Sequence, residues 1–154
     1  MDWLRWSSDV EAFTAAYWQT IDTVVMGRRT YEAAVAGGTD AYPGVVNYVC
    51  SRTRSGIANG VEFAPDGVAL VARLKQEPGK GICIMGGGVL GAALVDAGLV
   101  DEIGVNVHPV RLGSGVPLLP GLTRGIGLEL VECRRFEKGC ALLRYEVTNG
   151  KEAR

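Results

Sequence analysis

The chain has 154 residues, enough for one domain with a sizeable core and too few for two, so a single domain spanning 1–154 is expected. Hydrophobic residues make up 47%, charged residues 21%, and the net charge is −1, which excludes the basic excess of a nucleic-acid binder. No apolar run reaches membrane-spanning length, and no apolar segment follows Met1-Asp2-Trp3-Leu4-Arg5 as it would in a signal peptide, so the cytoplasm is the expected compartment.

Ser7 or Ser8 can cap a first helix, with Asp9 and Glu11 favourable in its first turn and Val10, Phe13, Ala16 and Tyr17 as its apolar face, ending near Thr20. Residues 23–26 read as a short buried strand, and Gly27-Arg28-Arg29-Thr30-Tyr31-Glu32 turns into a second helix that ends before Gly37-Gly38. Residues 45–50 form a strand, 51–56 a polar, basic loop, and 61–63 a brief strand. Asp66-Gly67 opens a helix to about Gln76, and Pro78-Gly79-Lys80-Gly81 turns into the next strand. A strand over 102–107 and a Gly/Pro-rich loop over 109–120 follow. Residues 128–136 and 140–148 read as an antiparallel hairpin about Glu137-Lys138-Gly139. This alternation predicts an α/β fold with a mostly parallel central sheet, helices on both faces and an antiparallel edge.

The most informative stretch is 82–101. Ile82-Cys83-Ile84-Met85 reads as a buried strand, three glycines (Gly86, Gly87, Gly88) interrupt it, and Val89, Leu90, Ala93, Leu94 and Ala97 recur at helical spacing up to Gly98. A turn without β-carbons before a helix N-terminus suits a phosphate or pyrophosphate, because backbone N–H groups and the helix dipole face it. Gly86, Gly88 and Gly91 also satisfy the dinucleotide G-x-G-x-x-G. However, Asn106, Val107 and His108 stand where that motif needs an acidic residue, which argues against a Rossmann domain.

Ligand sites of open α/β sheets lie beyond the carboxyl ends of the parallel strands. That places Gly27-Arg28-Arg29-Thr30 and Ser51-Arg52-Thr53-Arg54 on the same side as the glycine turn. Guanidinium groups and hydroxyls suit a phosphate monoester, and a pyrophosphate site beside such a site describes NADP rather than NAD. The cysteines Cys50, Cys83, Cys133 and Cys140 lack zinc or redox spacing and read as buried thiols, and the single histidine, His108, excludes a His-based metal cluster.

At these residues a family resemblance emerges. Met26-Gly27-Arg28-Arg29-Thr30-Tyr31-Glu32 and Ile84-Met85-Gly86-Gly87-Gly88-Val89-Leu90 resemble the two cofactor segments of dihydrofolate reductases. Ser51-Arg52-Thr53 and Leu112-Gly113-Ser114-Gly115-Val116-Pro117-Leu118-Leu119 are closer to one branch, the reductase domain of the riboflavin deaminase-reductase and its stand-alone relatives. The resemblance covers essentially the whole chain. It implies a dihydrofolate-reductase-like three-layer α/β/α fold with a C-terminal antiparallel hairpin, NADPH as hydride donor, and a small heterocyclic or sugar-phosphate substrate such as the aminouracil ribosylamine phosphate of riboflavin synthesis. On matching positions, Met85, Gly86, Gly87, Gly88, Val89 and Leu90 would hold the pyrophosphate. Gly27, Arg28, Arg29 and Thr30, with Ser51 and Arg52, would hold the 2′-phosphate and its neighbour. A cis bond at Gly86–Gly87 and a homodimer are further expectations of the family.

The family's chains carry an apolar strand and an Asp-Gly loop before the segment matched by Asp2-Trp3. The resemblance therefore implies a missing first strand, which would leave two strand edges exposed. Folate reductases carry an acid on the first helix; Glu11 matches it by ungapped counting and Asp9 lies one turn away, so these two are the candidate proton donors, although helix-dipole acids explain them equally. Arg111 and Ser114 are candidates for a substrate lid. The alternative to a reductase is an NADP(H)-binding protein without turnover.

Overall fold

In the computed structural model, residues 4–39 and 41–148 are described; Asp2 and Trp3 lie outside them. The chain divides into two compact units: Trp18–Leu99 with Pro117–Leu122, and the remainder.

The first unit is built on a five-stranded sheet of order β3-β4-β2-β1-β5. Its strands are β1 (Ile21–Gly27), β2 (Val46–Cys50), β3 (Gly56–Ala58), β4 (Val61–Ala64) and β5 (Gly81–Met85). β1 pairs in parallel with β2 and with β5, and β2 in parallel with β4. β1 is the central strand, and its Val24, Val25 and Met26 are buried although they alternate between faces, as expected of a parallel strand covered on both sides. Val24 and Met26 pack with Val49, Val61, Phe63 and Tyr31, the last from helix α2 (Arg28–Ala36). Helices α3 (Gly67–Leu74) and α4 (Gly88–Asp96) contribute the buried Leu70, Val71, Leu94 and Val95.

Local chemistry accounts for the boundaries. The Asp66 carboxylate accepts from the Val68 and Ala69 N–H groups and starts α3. Gly98, at φ +70, ends α4, with the Leu99 N–H returning to the Leu94 carbonyl. The side chain of buried Asn47 accepts from Tyr42 N–H (2.9 Å) and donates to the carbonyls of Tyr42 (2.8 Å) and Val45 (2.9 Å), pinning the loop before β2.

The second unit holds helix α1 (Ser8–Trp18), except for Trp18, and a three-stranded antiparallel sheet of order β6-β8-β7. Its strands are β6 (Glu102–Val107), β7 (Gly127–Arg135) and β8 (Ala141–Thr148). Val10 and Phe13 of α1 pack on Phe136, Cys140 and Leu142. The expected hairpin is present, turned by Lys138 and Gly139 at positive φ.

The fold is α/β with a mostly parallel sheet, as expected, and differs from the sequence reading in detail. The C-terminal hairpin is not an edge of the parallel sheet: it pairs with β6, and among the described residues no ladder joins the two sheets. The antiparallel edge of the parallel sheet is β3, inside the stretch read partly as loop. It is turned into β4 by Asn59-Gly60 at φ 52 and 74, the left-handed pair of a two-residue hairpin. Among the described residues the edge strands are β3 and β5 in the parallel sheet and β6 and β7 in the antiparallel sheet. Ala16 and Tyr17 are exposed rather than apolar-face residues, because the contacts of α1 with its own sheet run through Val10 and Phe13. Contrary to the expectation of buried thiols, only Cys140 is buried; Cys50 and Cys83 are half-buried and Cys133 is exposed, and none of the four forms a disulfide.

Replacing Asn47 by Ala strands one N–H and two carbonyls of a half-buried loop. The expected loss is about 2–4 kcal/mol, read as a lower urea midpoint with an unchanged denaturant slope.

Candidate functional site

Two neighbouring parallel strands end side by side. β1 and β5 pair up to Met26 and Met85, so Gly27, the last residue of β1, and Gly86, the first after β5, follow at the same level. Helix α2 starts directly after Gly27 and α4 directly after Gly87. Both helices have a glycine N-cap with no side-chain hydrogen bond, whereas α3 is capped by Asp66. Two helix N-termini with donors unmet by side chains thus open at the same end of the sheet.

The glycines fit this convergence. Gly86 has φ +59, and a β-carbon there would lie 3.0 Å from Thr30 Cγ2 and 3.1 Å from Thr30 Oγ1. Gly87 is left-handed at φ 74 and ψ 64, and its β-carbon would lie 3.5 Å from the Gly27 nitrogen and 3.7 Å from Thr30 Oγ1. Gly27, Thr30, Gly86 and Gly87 therefore form one cradle in which backbone and one hydroxyl replace side-chain bulk. The peptide bonds correct one expectation: no cis bond occurs among the described residues, so Gly86–Gly87 is trans. Positive φ at both glycines makes the turn without it.

The other predicted residues divide by role. Gly88 starts α4 against the carbonyl of Leu118, and Leu90 lies against Gly67 at the start of α3. Met85 is partly buried against the core, while Val89 is 72% exposed. Arg28 and Arg54 both reach Glu32, at 3.3 and 3.5 Å, which joins the α2 N-terminus to the loop after β2. Arg29 and Arg52 are exposed. Ser51 is buried, and its hydroxyl accepts from the Thr53 (3.3 Å) and Arg54 (3.1 Å) N–H groups, shaping the loop that carries Arg52 and Arg54. Arg54 also lies over the Phe63 ring, 5.7 Å from its centroid.

The sequence reading left Glu32 without a role, although Arg28 and Glu32 at i,i+4 spacing signal the pair. A cleft of about 510 Å³ lined by Trp18, Ile21, Tyr42 and Lys80 lies at the amino ends of the strands, away from the glycine cradle.

The proton-donor candidates belong to the other unit. Asp9 accepts from Ser7 Oγ (2.6 Å), Val10 N–H (2.9 Å) and Glu137 N–H (2.8 Å). The Ser7 hydrogen bond, then that from Glu137, holds its carboxyl below the usual range. This arrangement caps α1 and ties it to the β7–β8 turn. Glu11, two residues on, is exposed. The Arg5 N–H donates to His108 Nδ1 (3.1 Å), beside Cys140 Sγ (3.3 Å), which makes His108 an anchor for the N-terminal segment. Arg111 and Ser114 are exposed in this unit.

Fold and cradle together define an α/β protein with a glycine turn at the carboxyl ends of a parallel sheet. The chain belongs to the RibD C-terminal domain family, whose model matches residues 2–142. It is 34% identical over 146 residues to YwjB of Bacillus subtilis (strain 168), covering 92% of this chain and 84% of that protein. It is 39% identical over 99 residues to YyaP of the same organism, covering 64% of this chain and about half (53%) of that protein. A crystal structure from Shewanella sp. PV-4, named "Putative riboflavin biosynthesis protein", superposes with a TM-score of 0.81 at 22% identity, over 97% of this chain and 88% of that one. A pyrimidine reductase-like protein from Corynebacterium diphtheriae gives a TM-score of 0.56 at 16% identity, over 83% and 76%. Among the described residues no helix is long and apolar enough to cross a membrane.

The Asp9 cap makes a pH-dependent prediction. Its folded carboxyl titrates below the ordinary value of 3.8, so its contribution is fully present above that value and lost as pH falls through the folded one. Wild type is expected to exceed Asp9→Asn in thermal stability at neutral pH. The gap should close progressively below about pH 4; a gap that stays constant down to pH 2 would refute the cap.

Proposed function

We propose that this chain is an NADPH-dependent reductase of a small heterocyclic or sugar-phosphate substrate, resembling the aminouracil ribosylamine phosphate reductase of riboflavin synthesis. The observation that carries the reading is the convergence of two helix N-termini, both capped by glycine without a side-chain acceptor, around Gly27, Thr30, Gly86 and Gly87. The cradle fits a pyrophosphate: it has N–H donors, a hydroxyl, and glycine where a β-carbon would crowd Thr30 or Gly27. Arg28 and Arg29 at the start of α2, with Arg52 and Arg54 in the loop after β2, supply the charge for a 2′-phosphate. Bound NADPH would bring hydride transfer as its own chemistry, and the chain's task is to bind and orient it.

A second reading, an NADP(H)-binding protein without turnover, is favoured by Asp9. Its carboxylate is engaged by three hydrogen bonds in the α1 cap, which leaves exposed Glu11 as the remaining candidate donor. Both readings require the cofactor, and they part at turnover.

Titration of the protein with NADPH and with NADH, followed by nicotinamide fluorescence, is the test. NADPH is expected to bind at least roughly tenfold more tightly than NADH, as a charge-assisted phosphate contact requires. Arg52→Ala should weaken NADPH by roughly 5- to 20-fold and leave NADH unchanged. Equal affinities would remove the phosphate-monoester site, and binding of neither would remove the reading. NADPH oxidation with any offered substrate, abolished by Glu11→Gln, would identify the donor, whereas binding without oxidation selects the second reading.

A further inference from the structure

The segment Pro117–Leu122 belongs to the same compact unit as the glycine cradle, while the chain on both sides of it belongs to the other unit. It is seated on α4 by the absence of two side chains. A β-carbon on Gly88 would lie 2.5 Å from the Leu118 carbonyl oxygen and 2.7 Å from Pro120 Cδ, and one on Gly91 would lie 3.0 Å from Leu119 Cδ2. Neither glycine has positive φ, so backbone conformation does not require them. Glycine inside a helix is costly relative to alanine, and what α4 gains at these positions is the close approach of this strap. The third glycine of the turn and Gly91 thus serve a different purpose from Gly86 and Gly87.

The strap leaves Leu118 64% exposed, and Val89, the residue after the Gly88 contact, is 72% exposed. Two large aliphatic side chains therefore stand in solvent at the rim of an anion-binding turn. A dinucleotide whose pyrophosphate occupies that turn carries two flat heteroaromatic rings that need apolar cover.

We infer that Pro117–Leu122 is a wall of the nucleotide site: Gly88 and Gly91 clamp it to α4, and Leu118, with Val89, forms an apolar platform for one ring of the dinucleotide. The inference rests on the dinucleotide reading above and assigns a binding residue, Leu118, that the glycine motif does not contain. Leu118 is a positioning and affinity residue here, with no part in hydride or proton transfer.

Two arms test it. Without nucleotide, Gly88→Ala should raise hydrogen exchange at the amides of Leu118, Leu119, Gly121 and Leu122 by roughly fivefold or more, since the clamp is displaced while α4 keeps a helix-favouring residue. Unchanged exchange there overturns the clamp. With ligand, Leu118→Ser, at a largely exposed position, should weaken NADPH by roughly 5- to 20-fold, the scale of covering part of a leucine side chain. The affinity for inorganic pyrophosphate, which has no ring, should not change. An unaltered NADPH affinity, or an equal loss for pyrophosphate, overturns the platform. Failure of the wild-type protein to bind any dinucleotide removes the proposed function and the platform together. Failure of either arm with NADPH binding intact removes only this inference.

Discussion

Parallel pairing of β1 with β5 is the constraint on which the candidate site depends. Because the two strands run in the same direction and stay in register to Met26 and Met85, both chains leave the sheet at the same end. Each then turns through glycine into a helix, so two helix dipoles point outward at one place. An antiparallel pair would have put those helix starts at opposite ends. The central strand of the pair is held by almost wholly buried side chains, Val24, Val25 and Met26. Each contributes about 1.5–3 kcal/mol by area, an upper estimate because the unfolded chain already hides some of that surface.

Electrostatics refines the site without creating it. Glu32 draws Arg28 and Arg54 together, but all three side chains are at least 40% exposed, and ion pairs of that kind add little stability. Their effect is positional: the carboxylate connects the start of α2 to the loop that Ser51 shapes, so two cationic segments distant in the chain share one locus. Asp9 shows the opposite use of a carboxylate. Its hydrogen bonds bind the start of α1 to the β7–β8 turn, and the same contacts that stabilise its ionised form make it a poor source of protons at neutral pH.

The segment Pro117–Leu122 connects these themes. It is a short piece of chain inserted into the parallel unit between two stretches of the antiparallel unit, and it touches α4 where side chains have been removed. The run Gly86-Gly87-Gly88 therefore has a mixed origin: the first two residues take positive φ beside Thr30, and the third yields space to Leu118 and Pro120.

How much was legible beforehand differs by residue. The β-branched and apolar runs at 23–26, 45–50 and 82–85 announced strands, Asp66 and Gly98 announced helix ends, and glycines between a strand and an amphipathic helix announced the turn, because each signal is local. Asn59-Gly60 was an equally local signal, overshadowed by the polar loop before it. The sequence by itself thus determined the elements, their order and the residue types able to hold a phosphate, since propensity, periodicity and turn chemistry act over a few residues. Only the tertiary structure decided that Gly27 and Gly86 lie side by side and that Glu32 joins two arginine loops. It alone decided that Gly88 serves a strap thirty residues away, and that the C-terminal hairpin pairs with β6 rather than with the parallel sheet. Those outcomes depend on strand register and on which surfaces remain to be covered once the core has closed, and no short stretch of sequence carries that information.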